Sequence, residues 1–235
     1  MRTITLAILI ATCGCSPEPQ ELLSKAKSLM EEGQFEEALP YLDRAVEARA
    51  DWSEAYNVRA VAYFEQEDYP QAIDDLDKAI ALDSSSYKPF YNRGNAFQEL
   101  GEFSEALKDY STAIKKQPNI HDIYINRGVV HYQLENYPLA LEDFDFALKL
   151  EENDPTALLN QAKTLVATQS WETALSKLQI LAEMQSDNAS IFYLLGVSYL
   201  QTGQQQAGCA ALQKSAAMGD ANAPGALQQY CETAG

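Results

Sequence analysis

Two stretches decide the fold: Asn92–Ile114, NRGNAFQELGEFSEALKDYSTAI, and Asn126–Leu148, NRGVVHYQLENYPLALEDFDFAL. They align without a gap at an offset of 34 residues. Self-similarity at a fixed period of this length is the mark of a chain built from stacked supersecondary units. Extended both ways, the frame tiles 19–52, 53–86, 87–120, 121–154, 155–188 and 189–222, six repeats with no insertion. Position 8 is small throughout: Ala26, Ala60, Gly94, Gly128, Ala162 and Gly196. Position 20 reads Ala38, Ala72, Ala106, Ala140, Ala174 and then Gly208. Position 4 is large: Leu22, Tyr56, Phe90, Tyr124, Leu158 and Phe192. Positions 4, 11 and 24 supply bulk at helical spacing, while small residues at 8 and 20 let the backbones of two paired helices approach closely. An aromatic at position 17 (Phe35, Tyr69, Phe103, Tyr137, Trp171) follows the turn between them and is expected to close the hairpin's end.

Composition agrees with an all-α chain. Of 235 residues 46% are apolar, enough for a sizeable core, and only 11 Gly and 9 Pro interrupt sequences rich in good helix formers. The net charge is -17, from 34 acidic against 17 basic residues, so repulsion by phosphates excludes a nucleic-acid partner. Solvated helix faces rich in Glu and Asp account for most of that charge.

The N-terminus reads as an address. Arg2 precedes the apolar run Ile4–Ala11, too short to span a bilayer but of the length of a secretory h-region. The following Thr12-Cys13-Gly14-Cys15-Ser16 resembles a bacterial lipobox, with Thr12 standing where Leu is favoured. That resemblance implies a leader over 1–14, a lipid on Cys15, and a short tether over 15–18. An ordinary signal peptide cut nearby is the alternative. Cleavage before Cys15 leaves Cys209 and Cys231 as an even pair in an oxidising compartment.

Within its 34-residue frame the chain resembles the tetratricopeptide-repeat family, over residues 19 to 222. The resemblance implies a right-handed superhelical solenoid of six helical hairpins, and residues 223–235 look like the terminal capping helix. A cap is physically required, because the last hairpin otherwise exposes an apolar face. The family's Pro at position 32 survives only as Pro118, and the sixth repeat is the loosest, with Gln205 at position 17. Cys209 lies 11 residues before Asp220 and Cys231 lies 11 after it. An antiparallel hairpin turning there sets the thiols at one height and predicts a disulfide; two buried free thiols are the alternative.

Two sets of polar residues stand out. Position 7 is Arg59, Arg93 and Arg127 in repeats 2 to 4, and position 23 of the same repeats is Asp75, Asp109 and Asp143. The two are gained and lost together, which predicts a structural ladder in which each Arg bridges Asp residues of its own and the preceding helix pair. The family's groove positions give Asn57, Tyr91, Asn92, Asn95, Asn126, Tyr132 and Asn160, alongside Phe64 and Gln98. Asn with aromatic side chains suits hydrogen bonds to an extended peptide. The carboxylate clamp of chaperone-binding members is matched at Asn95 and Asn126, but Tyr91, Thr156 and Asn160 stand where its basic residues belong.

No phosphate loop, nucleophile elbow or metal-ligand cluster is found, and His121 and His131 lack partners at ligand spacing. The sequence therefore predicts neither enzyme nor cofactor nor metal. It predicts a scaffold of the bacterial cell envelope, lipid-anchored and binding protein or peptide partners. The alternative is a soluble periplasmic or secreted protein that binds a small ligand or glycan in the groove.

Overall fold

The computed structural model describes residues 17–232, and the expectations for the leader 1–14 and for Cys15 lie outside them. All regular structure among the described residues is helical, in two compact bodies divided between Asp83 and Ser84. The N-terminal body holds α1 (Pro19–Glu31), α2 (Phe35–Ala48), α3 (Ser53–Glu65) and α4 (Tyr69–Leu82). The C-terminal body holds α5 (Lys88–Glu99), α6 (Phe103–Lys116), α7 (His121–Gln133), α8 (Tyr137–Leu150), α9 (Pro155–Ala167), α10 (Trp171–Met184), α11 (Ala189–Gln201), α12 (Gln205–Ala217) and α13 (Ala223–Tyr230). Successive helices pair as antiparallel hairpins, and α13 packs on α12 and α11.

Local chemistry sets the helix ends. Prolines begin α1, α4, α5, α8, α9 and α13, at first-turn positions whose N–H would have no intrahelical partner anyway. Pro40 is the exception, inside α2 on an exposed face. The opening helix of every hairpin ends on a residue in the left-handed region: Gly33, Gly101 and Gly203 near φ 75°, 75° and 78°, and Glu67, Glu135 and Gln169 at 60°, 60° and 58°. The following amide then bonds to the carbonyl five residues back, as in Gln34 N–H to Leu29 O at 2.9 Å and Asn136 N–H to His131 O at 2.8 Å. Glycine makes that turn without a Cβ penalty; the three side chains there each cost about 1 kcal/mol.

Packing between paired helices is set by positions 8 and 24. In repeats 1, 2 and 5 buried Ala26, Ala60 and Ala162 face Leu42, Leu76 and Leu178. In repeats 3 and 4 the partner is an aromatic ring, fully buried Tyr110 or Phe144, and position 8 is Gly. A Cβ on Gly94 would lie 2.8 Å from Tyr110 Cε1, and one on Gly128 would lie 2.7 Å from Phe144 Cε1. In repeat 6, Gly196 and Gly208 each leave room for the other's carbonyl and for Leu212 and Leu200.

The C-terminal end is stapled. Cys209 on α12 and Cys231 just after α13 are joined by a disulfide with Cα atoms 5.8 Å apart. Asp220 Oδ1 accepts from the N–H groups of Asn222 and Ala223 at 2.8 and 3.2 Å and so starts α13. The side-chain amide of Gln205 donates to the Tyr230 carbonyl. Helix α13 is shorter than the predicted 223–235 cap, since its last helical residue is Tyr230.

Two measurements follow. Gly128→Ala destabilises the protein by about 1–3 kcal/mol through overpacking. Combined with Phe144→Leu, it costs less than the two single changes summed, read by urea unfolding of all three variants. Intact mass without reductant is about 2 Da below the dithiol mass; two alkylatable thiols in the unreduced, denatured chain would contradict the bridge.

Candidate functional site

Two polar systems lie on the hairpins, one closed and one open. The closed system contains the predicted Arg and Asp residues. Asp75, Asp109 and Asp143 are buried to 2%, 3% and 3% exposure. Each meets the Arg sixteen residues earlier in a two-pronged pair. Arg59 Nε and Nη2 donate to Asp75 at 2.6 and 2.8 Å, Arg93 to Asp109 at 2.7 and 2.8 Å, and Arg127 to Asp143 at 2.9 and 2.6 Å. The Asp75 hydrogen bond is the largest cause of Arg59's raised pKa. Burial pulls Arg127 down, and Asp143's hydrogen bond and charge outweigh it. Aromatic rings flank the guanidinium groups, Tyr56 and Tyr63 at Arg59 and Phe90 and Phe97 at Arg93.

The expected link to an Asp of the preceding repeat needs correction. Arg59 Nη1 does donate to Asp43 at 2.8 Å, but Arg127 Nη1 donates to the hydroxyl of Ser111 at 3.1 Å. Asp43 and Ser111 occupy the same place, position 25, and a hydroxyl there accepts the third donor as well as a carboxylate does. Repeat 5, without Arg, keeps the link through Gln161, whose amide donates to Asp145.

The open system is in the C-terminal body, on the helices that begin the hairpins. Asn126 on α7 donates its amide to Tyr91 Oη at 3.1 Å and to Asn95 Oδ1 at 3.0 Å, both on α5. The Tyr110 hydroxyl, rising from the buried position between α5 and α6, stands 2.8 Å from Asn95 Oδ1 and 2.8 Å from Gln98 Oε1. Burial raises the pKa of both Tyr91 and Tyr110, so both phenols keep their protons at neutral pH. These two contacts hold the Asn126 side chain against α5. The outer atom of its amide has no partner among the described residues and stays available to a ligand.

Other predicted residues are placed differently. Asn160 is half-buried on α9, and its side chain makes no hydrogen bond to another described residue. Asn92 on α5 is half-buried beside Tyr91, and half-buried Asn57 on α3 belongs to the N-terminal body. Tyr132 does not join the network; its ring packs on Tyr137 at 5.6 Å, as Phe64 packs on Tyr69 at 5.4 Å, and both pairs close hairpin ends. Tyr110 was missed because position 24 reads as core, although a hydroxyl in that slot was the available signal. His131 is half-buried, its Nδ1 has no partner, and burial lowers its pKa. The N-terminal body has an open apolar cleft among Met30, Phe35, Val58 and Val61, bordered by Lys27 and Glu31.

The family described as Tetratricopeptide repeat matches residues 23–87 and 159–226, and related descriptions match 94–135 and 121–154. The chain is a tetratricopeptide-repeat protein. Its fold is one that supports protein–protein interaction. No curated protein sequence matches it. Among solved structures, this tetratricopeptide-repeat chain is similar to PilF of Pseudomonas aeruginosa at 20% identity, TM-score 0.80, over 90% of this chain and 97% of that one. It is also similar to YrrB, described as a TPR protein with an unusual peptide-binding site, at 24% identity and TM-score 0.70, over 80% of this chain and 97% of that one. A third likeness is to a chain of the APC/C hetero-tetramer Cut9-Hcn1, at 16% identity and TM-score 0.74, over 91% of this chain and 43% of that one. At these identities the likeness is one of fold.

Arg127→Leu leaves Asp143 buried without a cation and costs about 3 kcal/mol in urea unfolding. Changing Asp143 to Leu as well recovers most of that loss, because no buried charge remains. An unchanged midpoint in the single variant would show that the pair is not structural.

Proposed function

We propose that this protein is a non-catalytic interaction scaffold whose C-terminal body holds an extended segment of a partner across its inner face, and that a lipid on Cys15 tethers it to the bacterial cell envelope. The observation that carries the first part is the Tyr91–Asn95–Asn126 network, anchored by buried Tyr110. An extended peptide offers both N–H and C=O groups to a side-chain amide, and an amide held in place in advance spends little entropy on binding. Asn160 supplies a second amide on the neighbouring helix. Arg59 and Arg127 each commit all three guanidinium nitrogens to neighbours, two of them to a buried aspartate, which assigns them a structural role. YrrB, of the same fold, is described as having a peptide-binding site, and Cut9 as assembled with Hcn1, which supports a peptide or protein as the ligand class.

The envelope tether rests on sequence: the short apolar run Ile4–Ala11 and the Gly14-Cys15 junction. Among the described residues no helix is long and apolar enough to cross a membrane. A lipid on Cys15 would supply attachment without one, with a second contribution needed for stable anchoring by a single chain.

Selection of a displayed random-peptide pool tests the binding surface. Wild type enriches a peptide family, and Asn95→Ala with Asn126→Ala weakens binding of its members at least tenfold while helicity is retained. Equal binding by both proteins would move the surface elsewhere. Labelling with a fatty-acid probe in bacterial cells tests the tether: wild type incorporates the probe and Cys15→Ser does not, and an unlabelled wild type removes the anchor.

A further inference from the structure

The inner face of the C-terminal body is graded in chemistry. Helices α5, α7, α9 and α11 lie side by side, each touching the next. Among their half-buried residues are Asn95 on α5, Asn126 on α7, Asn160 and Lys163 on α9, and Tyr193, Leu194 and Val197 on α11. Amides thus occupy one side and aliphatic and aromatic groups the other. Lys163 stands at the boundary.

That lysine differs from the other cations of these helices. Arg93 and Arg127 are spent on Asp109 and Asp143, and Lys88 is the first residue of α5. Lys163 sits mid-helix, half-buried, one turn after Asn160, with no ion-pair partner among the described residues. On a chain of net charge -17 such a cation is locally exceptional. Asp122, one turn before Asn126 on α7, lies 3.2 Å from His121 and puts negative charge at the other end of its stripe. An acidic ligand residue is therefore favoured at α9 and disfavoured at the start of α7.

Resting on the peptide reading above, we infer that the bound segment carries an acidic residue about three positions from the one held at Asn126, and a bulky apolar residue about three positions beyond that. Lys163 meets the first and the α11 stripe of Tyr193, Leu194 and Val197 meets the second. Packed helices lie about 8–10 Å apart, and an extended chain advances about 3.3–3.6 Å per residue. One helix is therefore crossed in roughly three residues.

A library of extended peptides displayed at physiological salt provides the test. Wild type enriches peptides with Asp or Glu about three residues from a bulky apolar residue. Changing that acidic residue to Asn or Gln weakens binding about fivefold, the scale of one partly exposed charge pair. Lys163→Glu turns the preference at that position to Lys or Arg and keeps the apolar one. If wild type and Lys163→Glu enrich the same peptides with no acidic preference, the charge assignment is overturned while the peptide-binding reading stands. If wild type enriches nothing, both are overturned. Val197→Glu, on α11, is expected to erase the apolar preference and keep the acidic one.

Discussion

The distance between the two helices of a hairpin governs the rest of the structure. It is set where position 8 meets position 24, and the two residues share one volume: Ala with Leu in repeats 1, 2 and 5, Gly with Tyr or Phe in repeats 3 and 4. A close-packed interior admits no extra methyl group at that contact. Exchanging volume across it lets a ring enter without moving the helices apart, so the stacking of one hairpin on the next is not disturbed. Repeat 6 uses the same freedom differently, with Gly196 and Gly208 bringing the backbones themselves together.

That exchange also links packing to the candidate site. Because Gly94 has no side chain, Tyr110 lies against α5 and carries its hydroxyl to Asn95 and Gln98. Phe144 fills the equivalent place in repeat 4 and ends without a polar atom. The fixed amide of Asn126 is thus a distant consequence of a glycine on the neighbouring helix. The Arg–Asp pairs act in the opposite sense. They bury charge between helices, engage the guanidinium groups of the central repeats and leave the inner face to amides, rings and Lys163. Such pairs are weak sources of net stability but strong guards against a slipped register, since a slip would strand each buried carboxylate.

Much of the fold was legible because a repeat presents the same pattern many times. Small residues at positions 8 and 20 reported helix pairing, and the joint presence of Arg59 with Asp75, Arg93 with Asp109 and Arg127 with Asp143 reported contact sixteen residues apart. Less legible were the features that depend on atoms rather than residue classes. Ser111 takes the place of an aspartate under Arg127, and its hydroxyl accepts equally well, a substitution that an Arg–Asp pattern does not anticipate. Glu67, Glu135 and Gln169 gave no sign of the left-handed turn that Gly33 advertises, because nothing but cost opposes a side chain there. Tyr132 looked like a groove residue from its position, yet its ring finds Tyr137 first.

The sequence by itself determined the helical hairpin, its 34-residue period and the family, since each follows from periodic burial and local turn chemistry. Only the tertiary structure decided which amides act together. Tyr91, Asn95, Tyr110 and Asn126 come from three helices and become one site because hydrogen bonds require donors and acceptors within about 3 Å, a distance that residue spacing does not encode. The same holds for Lys163, whose meaning as an unpaired cation depends on which carboxylates the fold brings near it and which it keeps away.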